Sequence, residues 1–146
     1  VPVVAEAGCE PSPLNDARQN VCIGTYALGN TETASNSTAV GFSAMNNMYS
    51  GSMNVAVGAA SLALGFTGQF NSAVGATSLF NNNGGNSNSA LGYSALYSNT
   101  SGQQNTAAVH ESLLKNSLGN NNTAAGVRAG GKQLGSNNTT IGTEAG

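Results

Sequence analysis

The stretch NVAVGAASLALGFTGQF occupies residues 54–70, and the chain then starts again: NSAVGATSLFNNNGGNS at 71–87 and NSALGYSALYSNTSGQQ at 88–104. Aligned on the leading Asn, these are three copies of one 17-residue unit. The phrase extends outward in both directions. Its fifth position falls at Gly24, Gly41, Gly58, Gly75, Gly92, Val109, Gly126 and Gly142, so the spacing is 17 residues six times and then 16. The units therefore begin at Asn20, Ser37, Asn54, Asn71, Asn88, Asn105, Asn122 and Asn138. A fixed period of this kind is the signature of a repeat architecture and is read before any local propensity.

The columns of this repeat carry the physical argument. Position 1 is Asn except at Ser37, position 3 is small (Cys22, Ala39, Ala56, Ala73, Ala90, Ala107, Ala124, Thr140), and position 4 is aliphatic from Ile23 to Ile141. Position 8 is Ala or Ser. Position 9 is Leu or Met until it becomes Gly130 and Gly146. A second glycine column sits at position 15: Gly51, Gly68, Gly85, Gly102 and Gly119, with Gly135 one place early. Seventeen residues are too few for a helical-hairpin repeat, whose units exceed 30. They suit two short strands and two tight turns, with glycine at positions 5 and 15 supplying φ > 0. A short helix near residues 110–118 is the one local alternative, since Gly and Asn density opposes longer ones.

The expected fold is all-β: a parallel β-solenoid, a β-roll or β-helix, of about eight 17-residue rungs over residues 20–146. Rungs stacked at ~4.8 Å would make a rod of roughly 40 Å. In it, position 4 stacks on position 4 and position 9 on position 9 to form the core. The Asn20, Asn54, Asn71, Asn88, Asn105, Asn122 and Asn138 side chains form an amide ladder that satisfies polar groups at a turn. With position 4 inside, strand alternation puts the Ala column of position 3 outside. There, smooth and uncharged, it suits close approach by another chain.

Residues 1–19 stand apart from the repeat, as an N-terminal cap or a connecting segment. No capping element closes the repeat after residue 146, so the solenoid is expected to continue in a longer chain or to be covered by a partner. Cys9 and Cys22 would tie the N-terminal segment to the first rung if bonded; two buried thiols are the alternative.

Composition excludes several functions. Charged residues make up 7% of the chain, against about a quarter in ordinary domains. Between Glu32 and Glu111 there is none at all. A nucleic-acid binder needs a basic stripe to displace counterions, and a peripheral membrane protein wants Lys and Arg clusters; neither is present. No uninterrupted apolar run reaches the ~18 residues of a membrane span. The single histidine, His110, has no second His at metal-ligand spacing. Its neighbour Glu111 would point away from it on a strand. No Gly-x-Ser-x-Gly elbow, phosphate loop or paired carboxylate appears in the central rungs, so no enzyme and no cofactor are expected.

Most charges of the repeat region gather late. His110, Glu111, Lys115, Arg128 and Lys132 are either a recognition patch or the mark of a changing cross-section.

The phrases NSALGYSALYSNTSG at 88–102 and NSAVG at 71–75 resemble the NTAVGYxALxxNTTG repeats of bacteriophage tail-fibre proteins. They are more distantly similar to the NSxAIG repeats of trimeric autotransporter adhesin heads. The resemblance covers residues 20–146. It implies a parallel β-roll assembled as a homotrimer, with attachment as its role: a rigid shaft or spacer on a virion surface or outside a cell, meeting a host receptor or glycan. A self-assembling extracellular filament, with residues 1–18 bridging end to end, is the alternative. Ice or carbohydrate binding ranks lower, because position 2 mixes Val, Ser and Thr, and Phe42, Tyr93 and Tyr97 make no continuous column.

Overall fold

The structure, a computed structural model, describes residues 19–132 and 135–146. Among these residues every regular element is a strand, and no helix forms. The strands are β1 (Val21–Ile23), β2 (Thr38–Val40), β3 (Val55–Val57), β4 (Ser72–Val74), β5 (Ser89–Leu91), β6 (Thr106–Ala108), β7 (Thr123–Ala125) and β8 (Thr139–Ile141). They pair in chain order as one parallel sheet. The register never slips: Ala39 faces Ala56, which faces Ala73, then Ala90, Ala107, Ala124 and Thr140. The chain is a β-solenoid with one strand per turn.

One strand per turn corrects the expectation of two. The rest of each rung is held by rung-to-rung bonds without extended geometry. The Gly58 and Ala60 amides donate back to Val40 and Phe42 carbonyls, while the Leu62 and Leu64 amides donate forward to Ser78 and Phe80. Between them the Ser61 amide closes a turn onto Gly58. The reversal needs left-handed backbone at positions 7 and 9, adopted by Ala60 (φ 53°) and Leu62 (φ 50°) and by their equivalents in other rungs. Such conformers cost an L-residue roughly 1–2 kcal/mol. They persist because hydrogen bonds from both flanking rungs over-determine the backbone. Gly130 takes the same conformation (φ 59°) where earlier rungs place Leu or Met. The backbone of rung seven is thus preserved while its core side chain is lost.

The two glycine columns serve different ends. Position 5 does require a left-handed residue, with φ between 114° and 139° in its glycines; Val109 sits there at 90°. At position 15 the reading of a φ > 0 turn is corrected, since Gly51, Gly68, Gly85, Gly102 and Gly119 all lie outside that region. They are glycines for want of space. A Cβ on Gly85 would sit 2.5 Å from the Gly102 carbonyl oxygen and collide with the Asn82 side chain.

The interior also inverts one expectation. Position 3 is the inward column: Ala39, Ala56, Ala73 and Ala124 are fully buried, packed with Met45, Leu62, Leu79, Leu96 and Leu113 of position 9. Position 4 faces outward, with Val57 37%, Val74 38% and Leu91 58% exposed. Strand alternation explains why. Positions 1 and 3 share a face, and the Asn of position 1 must be inside to meet its partners. A rung whose lumen is filled by one leucine leaves room beside it only for a Cβ.

Candidate functional site

Because position 3 points in, positions 2 and 4 form the outer face of the sheet. Each strand contributes two short uncharged side chains: Val21 and Ile23, Val55 and Val57, Ser89 and Leu91, and so on to Thr139 and Ile141. Parallel pairing in constant register lays them in two straight columns, at about 4.8 Å per rung. The face carries no charge and no amide. Aliphatic exposure continues from Ile23 (42%) to Ile141 (74%). Contiguous exposed apolar surface is uncommon on monomeric proteins and marks interaction sites. The Ala column, expected outside as a surface for another chain, is internal, and the outer face is this one.

The amide ladder is buried from Asn54 to Asn122 and half-buried at its ends, Asn20 and Asn138. The Asn54 Oδ1 accepts from the Asn71 backbone amide (2.8 Å) and from its Nδ2 (3.2 Å), while Asn71 Nδ2 also donates to the Gly85 carbonyl (2.9 Å). The bond from the backbone amide to the preceding Asn Oδ1 repeats at Asn88, Asn105, Asn122 and Asn138, while Asn122 Nδ2 donates instead to Asn116 Oδ1 (3.2 Å). At the N-terminal end the Asn20 Oδ1 accepts from the Ser37 amide. Ser37, the one substitution, still accepts the Asn54 amide through its hydroxyl (3.2 Å).

A second ladder went unread in the sequence. Asn82, Asn99 and Asn116 occupy position 12 and are fully buried. Asn99 Nδ2 donates to Asn82 Oδ1 (2.6 Å), and Asn116 Nδ2 to Asn99 Oδ1 (3.3 Å). Each also donates to the position-15 carbonyl of its own rung. Their 17-residue spacing was the available signal. It was obscured because the earlier rungs hold Thr31, Met48 and Gly65 there. The Met48 methyl reaches the space above Gly65, filling what a side chain at Gly65 would occupy.

The late charges converge, and all but His110 line one cleft. Glu111, Arg128 and Glu144 all fall on position 7 of successive rungs. Arg128 Nε donates to Glu111 Oε2 (2.8 Å) and its Nη1 to Glu144 Oε1 (3.4 Å). The hydrogen bond from Arg128 is the main cause holding the Glu111 carboxyl below its ordinary pKa, and the same bond holds the guanidinium up. Lys115 and Lys132 stack on position 11 and line a cleft of about 370 Å³ with these three residues, Leu114 and two glycines. His110 lies to the side, its ring stacked on Tyr93 at 5.3 Å. Its Nδ1 is 3.7 Å from Glu111 Oε2. The two side chains do not point apart as a strand would require, because residues 110 and 111 belong to the turn after β6.

Aromatic side chains form separate pairs: Tyr26 against Phe42 edge to face, and Phe80 stacked on Tyr97. Cys22 packs half-buried at the first rung's end of the core, while Cys9 lies outside the described residues. Among the described residues no three His, Cys, Asp or Glu cluster as a metal site would need, and no helix is long and apolar enough to cross a membrane. No protein-family model, curated protein or solved structure matches the chain.

Proposed function

We propose that this chain is a structural, adhesive fibre segment: a rigid shaft or spacer that associates with further copies of itself, as a homotrimer, through the face of positions 2 and 4. The observation that carries the reading is that face. It runs the length of the rod in unbroken register, uncharged, with Val57, Val74, Leu91 and Ile141 open to solvent. Cyclic assembly of identical rods along one stripe buries it and closes the complex. The solenoid suits the role because each rung contacts only its neighbours and adds length without changing cross-section. The surface is kept wet by amides and hydroxyls, which fits a place on a virion or outside a cell. We assign the chain no catalytic step and no cofactor.

Light scattering on residues 1–146 at several concentrations tests this. A discrete trimer mass is expected at every concentration. Val74→Asp with Leu91→Asp, each at an exposed site, should give a folded monomer with an unchanged circular dichroism spectrum. A wild-type monomer would refute the reading. Growth without limit would replace it by an end-to-end filament.

A further inference from the structure

We propose that the groove between positions 11 and 13 of rungs one to five binds a linear, uncharged oligosaccharide laid along the rod axis. Position 12 points into the core, and Thr31, Met48, Gly65, Asn82 and Asn99 are all buried. Its neighbours at positions 11 and 13 line the surface on either side of it, with Tyr49, Phe66 and Asn83 exposed and Asn47, Leu64, Asn81 and Ser98 half-buried. Between the walls lie two shallow depressions of about 390 and 360 Å³, within the usual range for ligand sites. Phe66 lines both. Together the two depressions span rungs one to five, roughly 20 Å along the axis.

The lining chooses the ligand. Tyr49 and Phe66, on consecutive rungs of the position-13 wall, expose 49% and 42% of their surface. They offer flat apolar platforms of the kind that pack against the C–H face of a pyranose. Around them stand neutral hydrogen-bonding groups suited to sugar hydroxyls: Asn47, Asn81, Asn83 and Thr100. Asn81 spends its Nδ2 on the Tyr97 carbonyl, which leaves its Oδ1 to accept. Glu32 is the one ionisable acid on either wall, and its carboxylate beside Tyr49 holds that hydroxyl above its ordinary pKa. No cation stands on either wall of these rungs, so an anionic polymer or a phosphate finds no counter-charge. A peptide adding as a strand finds no free edge. The Leu64, Thr67, Asn81 and Gly84 amides are all bonded to the next rung. The two aromatic platforms, Tyr49 and Phe66, follow one another at the rung pitch of about 4.8 Å, so neighbouring sugars of a linear polymer can meet them in turn.

This proposal goes beyond the fibre reading and uses none of the strand-face residues. A monomeric chain that binds sugar would sink the fibre reading and leave this one standing.

The test is titration of residues 1–146, by calorimetry and tyrosine fluorescence, with neutral hexaoses built from β-1,4-glucose, α-1,4-glucose, N-acetylglucosamine and mannose. An oligogalacturonate serves as the charged control. At least one neutral hexaose is expected to bind. Phe66→Ala should weaken that binding about tenfold or more, as truncation of an aromatic anchor does. Phe70→Ala, which removes an exposed aromatic outside the groove, should leave it unchanged. Failure of every neutral hexaose to bind, preference for the charged oligomer, or full affinity in a folded Phe66→Ala would each overturn the proposal.

Discussion

Replacing Asn88 by alanine isolates what the buried amide ladder contributes. Asn88 is fully buried in a central rung. Its Oδ1 accepts from the Asn105 backbone amide (3.0 Å) and from Asn105 Nδ2 (3.1 Å), and its own Nδ2 donates to the Gly102 carbonyl (2.8 Å) and to Asn71 Oδ1 (3.2 Å). The consequences of truncation are unequal. The Gly102 carbonyl still accepts from Asn99 Nδ2, and Asn105 Nδ2 still donates to Gly119. The Asn105 backbone N–H alone is left buried with no acceptor, at a cost of about 1–3 kcal/mol. The three other lost bonds leave groups that keep a partner, at about 0.5 to 1 kcal/mol each, and bring Asn88→Ala to roughly 3–5 kcal/mol. That corresponds to about 10 °C in midpoint for a chain of this size. Serine is the informative control, because Ser37 already occupies this column and its hydroxyl accepts the Asn54 amide. Asn88→Ser should rescue the orphaned N–H and cost roughly 1–2 kcal/mol. Urea unfolding followed by circular dichroism, at one fixed protein concentration, measures both. Equal losses for alanine and serine, or an alanine loss below about 1 kcal/mol, would refute the account of the ladder.

Two further outcomes follow from the same geometry. Gly85→Ala should destabilise the fold by about 3 kcal/mol or more, because its Cβ has a backbone carbonyl 2.5 Å away and an Asn side chain nearer still. Gly84→Ala, whose Cβ would meet only Thr67 Oγ1 at 3.5 Å, should stay near neutral in the same urea assay. Glu111 has a folded pKa lowered by Arg128, so its contribution is present above its ordinary value and is lost as pH falls through the folded one. Thermal melts should therefore fall on acidification below the usual glutamate range, and Glu111→Gln should flatten that fall.

The period, the stacking direction and the amide ladder were legible because each depends on residue identity at a fixed spacing. The content of a rung was less so. One strand per turn follows from left-handed backbone at residues such as Ala60, Leu62 and Phe70, none of which belongs to a type that advertises φ > 0. Neighbouring rungs impose that conformation, so it is a property of the stack and not of any local segment. The glycines of position 15 illustrate the converse. Glycine was read for its freedom, whereas Gly85 is there because Asn82 and Gly102 leave no room for a methyl group. The convergence of Glu111, Arg128 and Glu144 was implicit in their shared position, although one residue is lost between the last two rungs.

The inverted strand face is the more instructive case, since hydrophobicity argued for the wrong column. Val and Leu at position 4 outweigh Ala at position 3 on any transfer scale, yet the alanines are buried and Leu91 is 58% exposed. Burial of apolar side chains is a one-way rule, and here volume overrides it. The decisive clue is parity. A buried ladder at position 1 commits position 3 to the interior and position 4 to the outside, whatever their relative hydrophobicity. The repeats themselves show the same constraint. Position 3 admits Cys, Ala and Thr, whereas position 4 ranges over Ile, Val, Leu and Ala. A column that tolerates only small side chains is a confined one. Once the aliphatic column is placed outside, its apolar character can no longer be explained by the monomer's own core. It is on the strand face, uncharged along all eight strands, that the proposed self-association rests, since a second copy of the same rod presents the same pitch and the same stripe.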